Sequence, residues 1–181
     1  MPKSLHVALL RGINVTGKNL IRMEALREMC IELKLSEVRT YIQSGNIVFA
    51  STQPQSALEA RIESGISSTF SLRIPAIVRS ADEWVRTLAA CPFSAEAVSD
   101  PSRLYLLTAK AAFPGGIADE LQLKGREGEV ARLVEDSLWI YYPSGMARSK
   151  ITPSLIDRLA GSPSTARNWK TASAILEMLT S

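Results

Sequence analysis

The chain has 181 residues, of which 46% are hydrophobic and 22% are charged, a balance typical of one globular domain or two small ones. Its 21 basic and 18 acidic residues leave a net charge of +3, too small to indicate nucleic-acid binding through bulk charge alone. One histidine and two cysteines argue against a histidine-rich metal site and a disulfide scaffold. We therefore expect no metal and no cofactor.

The amino-terminal residues resemble neither a signal peptide nor a membrane anchor. Arg11 interrupts the first apolar run before a signal-peptide core forms, and no apolar stretch approaches the roughly 20 residues of a spanning helix. Cys30 and Cys91 lie in unrelated contexts, which favours a reducing compartment. We predict a cytoplasmic protein without membrane association, either a monomer or a weak homodimer.

The first half of the chain alternates strand and helix patterns. Apolar runs bounded by turn residues indicate strands, and apolar residues three or four apart indicate helices. In chain order we predict a strand over 5–10, a helix over 21–35 capped by Asn19, strands over 38–43 and 46–50, a helix over 55–70, a strand over 72–78 and a helix opened by a capping box at Ser80. The first six elements follow the split βαββαβ order of a ferredoxin-like α+β sandwich.

The second half predicts a smaller α+β subdomain that ends in helices. Pro92 and Pro101 bracket a stretch rich in serine and alanine, so we place the domains at 1–91 and 92–181. The predicted elements are a strand over 104–109, a short helix over 117–123, a hairpin of 129–135 with 138–142, a helix opened by Thr152-Pro153 and a last helix from Thr165 or Asn168 to Met178. No internal repeat is visible.

One polar cluster is expected where the first strand ends. In the split arrangement the first and third strands are antiparallel neighbours, so the loop over 11–19 lies beside the turn over 43–46. The cluster contains no acid: Arg11, Asn14, Lys18, Asn19, Gln43, Ser44 and Asn46. Glycines let backbone N–H groups approach a ligand there, and a helix start follows, which suits an anion. The alternative is that the asparagines only stabilise turns.

A second polar constellation lies near the carboxyl end of the sequence. It consists of Arg148-Ser149-Lys150 and the segment from Thr165 to Thr171. Basic side chains and hydroxyls near helix starts hold phosphate oxygens, and Trp169 is suited to stacking on a base. The alternative is that Thr165 or Asn168 caps a helix and Trp169 fills the core.

Catalytic signals are sparse. His6 lies inside an apolar strand, which favours a structural role, and Glu59 with Glu63 shows the helical spacing of an exposed face. The sequence contains neither H-E-x-x-H nor G-x-S-x-G. In an enzyme, Ser44 or Tyr41 would carry the chemistry, although no general base is apparent near Ser44 in the sequence.

Several short segments together resemble one known family. They are Leu9-Leu10-Arg11-Gly12-Ile13-Asn14-Val15, Lys18-Asn19, Met23, Thr40-Tyr41-Ile42-Gln43-Ser44-Gly45-Asn46, Pro92-Phe93, Ser149-Lys150 and Thr165-Ala166-Arg167-Asn168-Trp169 with Thr171. In this order, and over almost the whole chain, they resemble the domain of unknown function family 1697. The resemblance implies a small cytosolic bacterial protein with two α+β subdomains and no known reaction. It also marks the two polar constellations as one candidate site.

We therefore predict an anion-binding protein whose ligand is a nucleotide, a phosphate or a nucleic acid. The expected site is a cleft between the subdomains lined by Arg11, Asn14, Lys18, Gln43, Ser44, Asn46, Lys150, Arg167 and Asn168. One alternative is an enzyme that acts on a small phosphorylated or carboxylated substrate. The other is a structural or protein-interaction module in which Asn14, Gln43 and Asn46 only lock loops.

Overall fold

The computed structural model describes residues 3–181, and its first part is a four-stranded antiparallel sheet with helices. The elements are β1 (Ser4–Leu10), α1 (Met23–Glu32), β2 (Ser36–Tyr41), β3 (Asn46–Ser51), α2 (Gln55–Phe70), β4 (Ala76–Ser80) and α3 (Ala81–Ala89). The strand order is β2-β3-β1-β4, and every pairing is antiparallel. Apolar residues of α1 and α2 and of β1, β3 and β4 form one core, so each helix buries its apolar stripe against strands.

The second part repeats this topology. A short helix, α4 (Ser94–Ser99), precedes it. The elements that follow are β5 (Leu104–Ala109), α5 (Ile117–Lys124), β6 (Val130–Val134), β7 (Ser137–Tyr141), a 3-10 helix (Met146–Arg148), α6 (Pro153–Ala160), β8 (Ser164–Asn168) and α7 (Trp169–Thr180). The strand order is β6-β7-β5-β8, again antiparallel throughout. The α+β class is confirmed, and the topology repeats although the sequence shows no repeat.

The contacts of the chain define two compact units. The first comprises the described residues up to Val85 together with Ala174–Ser181, and the second comprises Arg86–Ser173. This division differs from the predicted one, 1–91 and 92–181, mainly because the end of α7 returns to the first unit. There, Nη2 of Arg39 donates a hydrogen bond to the carbonyl oxygen of Met178 over 2.6 Å.

One predicted helix start is wrong, and of the two starts offered for the last helix one is wrong and the other is correct. Arg22 precedes α1, so the predicted cap Asn19 lies outside the helix, and its Nδ2 instead donates to the carbonyl oxygen of Gly12. The segment after Thr165 forms strand β8 rather than helix because it pairs with β5. Of the two proposed caps, Asn168 is correct, since its Oδ1 accepts the N–H of Thr171 over 3.0 Å at the start of α7.

The capping box is confirmed. Oγ of Ser80 accepts the N–H of Glu83, and Oε2 of Glu83 accepts the N–H of Ser80. Thr152 likewise caps α6 by accepting the N–H of Leu155. Between residues 3 and 181, no helix is both long enough and apolar enough to cross a bilayer.

The carboxylates of Glu59 and Glu63 do not form the exposed face that their spacing suggests. Both residues are half-buried on α2. Oε1 of Glu63 accepts the N–H of Ala76 over 2.8 Å, and Oε1 of Glu59 accepts the N–H of Val78 over 2.9 Å. These N–H groups belong to the edge strand β4, so the glutamates satisfy donors that have no neighbouring strand.

Candidate functional site

Asn14 joins the loop after β1 to the turn between β2 and β3. Its Nδ2 donates to the carbonyl oxygens of Ile21 over 2.9 Å and Gln43 over 2.8 Å, and its Oδ1 accepts the N–H of Ile21. The backbone N–H of Asn14 also donates to the carbonyl oxygen of Asn19. The loop and the turn are therefore neighbours, and the Asn14 side chain is used inside the protein.

Asn46 stabilises the turn between β2 and β3 through hydrogen bonds. This side chain is fully buried, and its Nδ2 donates to the carbonyl oxygen of Tyr41 and to Oγ of Ser44, each over 3.0 Å. Gly45 has a φ of 77°, and a Cβ at this position would lie 2.7 Å from the Cβ of Leu10. A larger residue at 45 would strain the backbone and push against β1.

The rest of the predicted first-unit cluster lies nearer to solvent. Lys18 and Gln43 are exposed, while Arg11 and Ser44 are half-buried. Lys18 ends a tight turn in which its N–H donates to the carbonyl oxygen of Val15. The two central residues of that turn, Thr16 and Gly17, have positive φ values, as a type I′ turn requires. The binding role of these four residues stays a prediction.

Arg167 and Asn168 occupy β8 in the second unit. The guanidinium of Arg167 is buried, and its Nη1 donates to Oγ1 of Thr165 over 2.7 Å and to the carbonyl oxygen of Ala166 over 2.8 Å. Burial lowers the pKa of Arg167 to about 10. Trp169 is half-buried, and its ring centroid lies 5.9 Å from that of Trp139, so it packs against an aromatic neighbour within its own unit.

Lys150 lies in a basic groove of the second unit, with a volume of about 780 Å³. We define the basic groove by its lining residues, Leu123, Lys124, Arg126, Lys150, Thr152, Ser154, Leu155 and Arg158. Four of these are cationic, and none of the described residues in the lining is acidic. Of these cations, only Lys150 is predicted from the sequence, because the fold brings Lys124 and Arg126 to it from the end of α5.

A buried carboxylate connects two segments that carry cations of the basic groove. Oε1 of Glu129 accepts a hydrogen bond from Oγ of Ser149, and Oε2 accepts the N–H of Glu127. Burial raises the pKa of Glu129, but these hydrogen bonds outweigh it and hold the pKa below its ordinary value. Arg126 precedes Glu127 and Lys150 follows Ser149 in the chain. Because Glu129 binds both Glu127 and Ser149, it restricts how far the backbones of Arg126 and Lys150 can separate.

His6, which is the only histidine of the chain, lies in an environment that suits a structural role. His6 is buried and stacked on Phe49, and its Nδ1 lies 2.9 Å from the carbonyl oxygen of Ser4. The turn that holds Ser44 begins beyond Leu9, which pairs with Asn46. His6 therefore lies roughly 10 Å along β1 from that turn. Within residues 3–181, no group of three or more potential metal ligands occurs.

Comparison with known proteins identifies a family. A family model described as "Protein of unknown function (DUF1697)" matches residues 4–139. The chain belongs to the DUF1697 family. The match ends before Lys150, Arg167 and Asn168, so it is shorter than the resemblance predicts. The basic groove also lies partly outside it, since only Leu123, Lys124 and Arg126 of its lining fall within the matched residues.

A solved structure is similar to almost the whole chain, including the residues after 139 that the family model does not match. The DUF1697 chain is similar to a structure titled "The structure of conserved bacterial protein SP0830 from Streptococcus pneumoniae". The two share 25% sequence identity and a TM-score of 0.77, over 99% of this chain and 100% of the other. No match to a curated protein was found. The chain therefore has a family and a structural relative, and the descriptions of both name no activity.

Proposed function

We propose that this protein binds an anionic, phosphate-bearing ligand in the basic groove of its second unit. The observation that supports the proposal is the lining, where four cationic side chains meet and none of the described lining residues carries a negative charge. Four cations around one groove create a positive potential that attracts an anion. A ligand with phosphate groups is such an anion and accepts hydrogen bonds from lysine and arginine.

Local structure adds neutral hydrogen-bonding groups to these charges. Thr152 caps α6, and Ser154 lies in its first turn, so both residues line the groove at the positive end of the helix. Arg126 and Lys150 are held near each other in the chain's fold by the Glu129–Ser149 hydrogen bond. Such a partly fixed arrangement lowers the ordering cost that binding must offset.

Calorimetric titration with inorganic phosphate and pyrophosphate at low salt tests the proposal. We expect both anions to bind, pyrophosphate more tightly, and Lys150→Ala to weaken binding about tenfold, which is the loss of one charge-assisted hydrogen bond. Arg73→Ala is the matched control, because Arg73 is an exposed cation in the first unit. Absence of binding, or equal binding by Lys150→Ala and wild type, would overturn the proposal.

The second candidate is a structural module, favoured by the four hydrogen bonds that Asn14 makes through its side chain and backbone. The side-chain amide of Asn14, predicted from the sequence to contact a ligand, therefore holds the loop in place instead. A purely structural module predicts that Asn14→Ala lowers the melting temperature while phosphate and pyrophosphate leave it unchanged. The same anions raise the melting temperature of an anion-binding protein by mass action.

We also propose a ferredoxin-like classification for both units. The supporting observation is that each one follows the order strand, helix, strand, strand, helix, strand, with antiparallel sheets ordered β2-β3-β1-β4 and β6-β7-β5-β8. Superposition of each unit, from an experimentally determined structure, on split βαββαβ domains tests this classification. A different strand order in that structure would contradict it.

A further inference from the structure

We infer that the ligand of the basic groove is a nucleic-acid strand, held through its phosphodiester backbone and not through its bases. This inference rests on the proposed function and extends it from an anion in general to a chain of phosphates. Three properties of the groove lining support it: the cations are exposed, no aromatic side chain is present among the described lining residues, and four positive charges are gathered there.

The four cations of the basic groove remain open to solvent. Lys124, Arg126, Lys150 and Arg158 are all exposed. Sites for small ligands enclose about 70–90% of the ligand surface, whereas this groove is open and its four cations are exposed. An open groove with exposed cations instead suits a polymer that passes over it and keeps one side in water.

The lining residues that the structure describes lack the side chains on which single-stranded bases most often stack. They include no aromatic side chain on which a base could stack and no asparagine or glutamine to pair with adenine. The neutral members are two hydroxyl residues, Thr152 and Ser154, and two leucines. Arginine, lysine and hydroxyl groups can reach base edges, but they are also the usual donors to phosphate oxygens, and without aromatic or amide side chains the lining favours the backbone over the bases.

The number of cations sets the expected salt dependence. Each phosphate of a single strand that is neutralised contributes about −0.7 to the slope of log K against log salt. Four cations that each meet one phosphate therefore predict a slope of about −2.8. An inorganic phosphate, which meets fewer of the four cations at once, gives a shallower slope.

Fluorescence anisotropy with labelled single strands of about 12 nucleotides tests the inference on the full chain. The probes are oligothymidine, oligoadenosine and an abasic strand of the same length, and tripolyphosphate serves as the competitor. We expect the three strands to bind with affinities within about threefold of one another, because no base contact distinguishes them. Lys150→Ala and Arg126→Ala are each expected to reduce the salt slope by about 0.7, while Arg73→Ala leaves the slope unchanged.

The outcomes separate this inference from the proposed function. Tripolyphosphate that binds more tightly than the strands, together with a strand-binding salt slope that Lys150→Ala and Arg126→Ala leave unchanged, overturns the nucleic-acid assignment and leaves anion binding intact. A preference for one base of more than about tenfold overturns backbone recognition. No binding of any strand and none of tripolyphosphate, phosphate or pyrophosphate overturns both the inference and the proposed function.

Discussion

Asn14 shows how a single side chain fixes the loop that follows β1. It has a φ of 53° and bridges the carbonyl oxygens of Ile21 and Gln43. Asparagine tolerates positive φ better than most residues and can donate two hydrogen bonds while accepting a third. Both properties are used at this position, so we expect loss of the side chain to loosen the loop and the turn together.

Replacement of Asn14 with glycine separates these two properties. Glycine keeps the positive φ without strain but removes the three side-chain hydrogen bonds, so we expect the free energy of unfolding to fall by about 2 kcal/mol. Asn14→Ala should cost about 1 kcal/mol more, because alanine is strained at positive φ. Denaturant titration measures both values, and a glycine variant as stable as wild type would show that the hydrogen bonds contribute nothing.

His6 predicts how the stability of the protein depends on pH. Burial lowers the pKa of His6 below its ordinary value of 6.5, although the hydrogen bond with Ser4 and the charge of Glu83 partly oppose this effect. The unfolded chain therefore takes up a proton at a higher pH than the folded one. The stability contributed by neutral His6 is fully present above the unfolded pKa and is lost as pH falls through the folded pKa.

We therefore expect the melting temperature of the wild type to fall when pH is lowered from about 7.5 to about 5.5. The variant His6→Asn keeps a side-chain N–H for the carbonyl oxygen of Ser4 but does not titrate, so its melting temperature should change less over the same range. Because the chain has one histidine, the comparison isolates this group. Parallel pH profiles for the two proteins would refute the assignment.

At the scale of elements, side chains from helices accept hydrogen bonds from edge strands in both sheets. On β4, Glu59 and Glu63 accept the N–H groups of Val78 and Ala76. On β8, Oδ1 of Asp157 accepts the N–H of Ser164 over 3.0 Å, and on β6, Oε1 of Gln122 accepts the N–H of Ala131. These contacts occupy donors that would otherwise be available to a strand of another chain.

The double variant Glu59→Ala with Glu63→Ala exposes the edge of β4. We expect the free energy of unfolding to fall by about 2 kcal/mol, because the N–H groups of two buried residues lose charged acceptors. We also expect light scattering on mild heating, because the freed edge can pair with another chain. The variant with glutamine at both positions keeps an acceptor oxygen and should behave like wild type. Equal scattering by the alanine and glutamine variants would contradict edge protection.

The sequence predicts elements better where their pattern is local. The apolar run of β1 and the helical spacing of α2 predict these elements and their bounds closely, and Thr152-Pro153 marks the start of α6. Strand β8 is missed because Ser164–Asn168 lacks apolar alternation and exists through its pairing with β5. For the site, Lys150 is found beside a helix start, whereas Lys124 and Arg126 join it only through tertiary folding.

At the scale of the whole molecule, the first unit consists of two segments of the chain. Deleting residues 174–181 removes the carbonyl of Met178, which accepts from Arg39 on β2, and the buried side chains of Ile175 and Leu179. We expect hydrogen exchange in Ser36–Tyr41 to become faster and exchange in Val130–Val134 to stay unchanged. Arg39→Ala removes the hydrogen bonds to the carbonyl oxygen of Met178 and Oγ of Ser181 but leaves Ile175 and Leu179 in place, so it should give a smaller effect. Unchanged exchange in β2 after the deletion would contradict this division.

The return of residues 174–181 to the first unit also has a consequence for synthesis on the ribosome. The whole of the second unit, Arg86–Ser173, is translated between the two segments of the first. At roughly 5–20 residues per second, these residues take on the order of ten seconds to make. During that time the sheet of the first unit can form, but Arg39 has no Met178 carbonyl to bind. A nascent chain stalled within the second unit should therefore hold a first unit that is less resistant to protease than that of the finished protein.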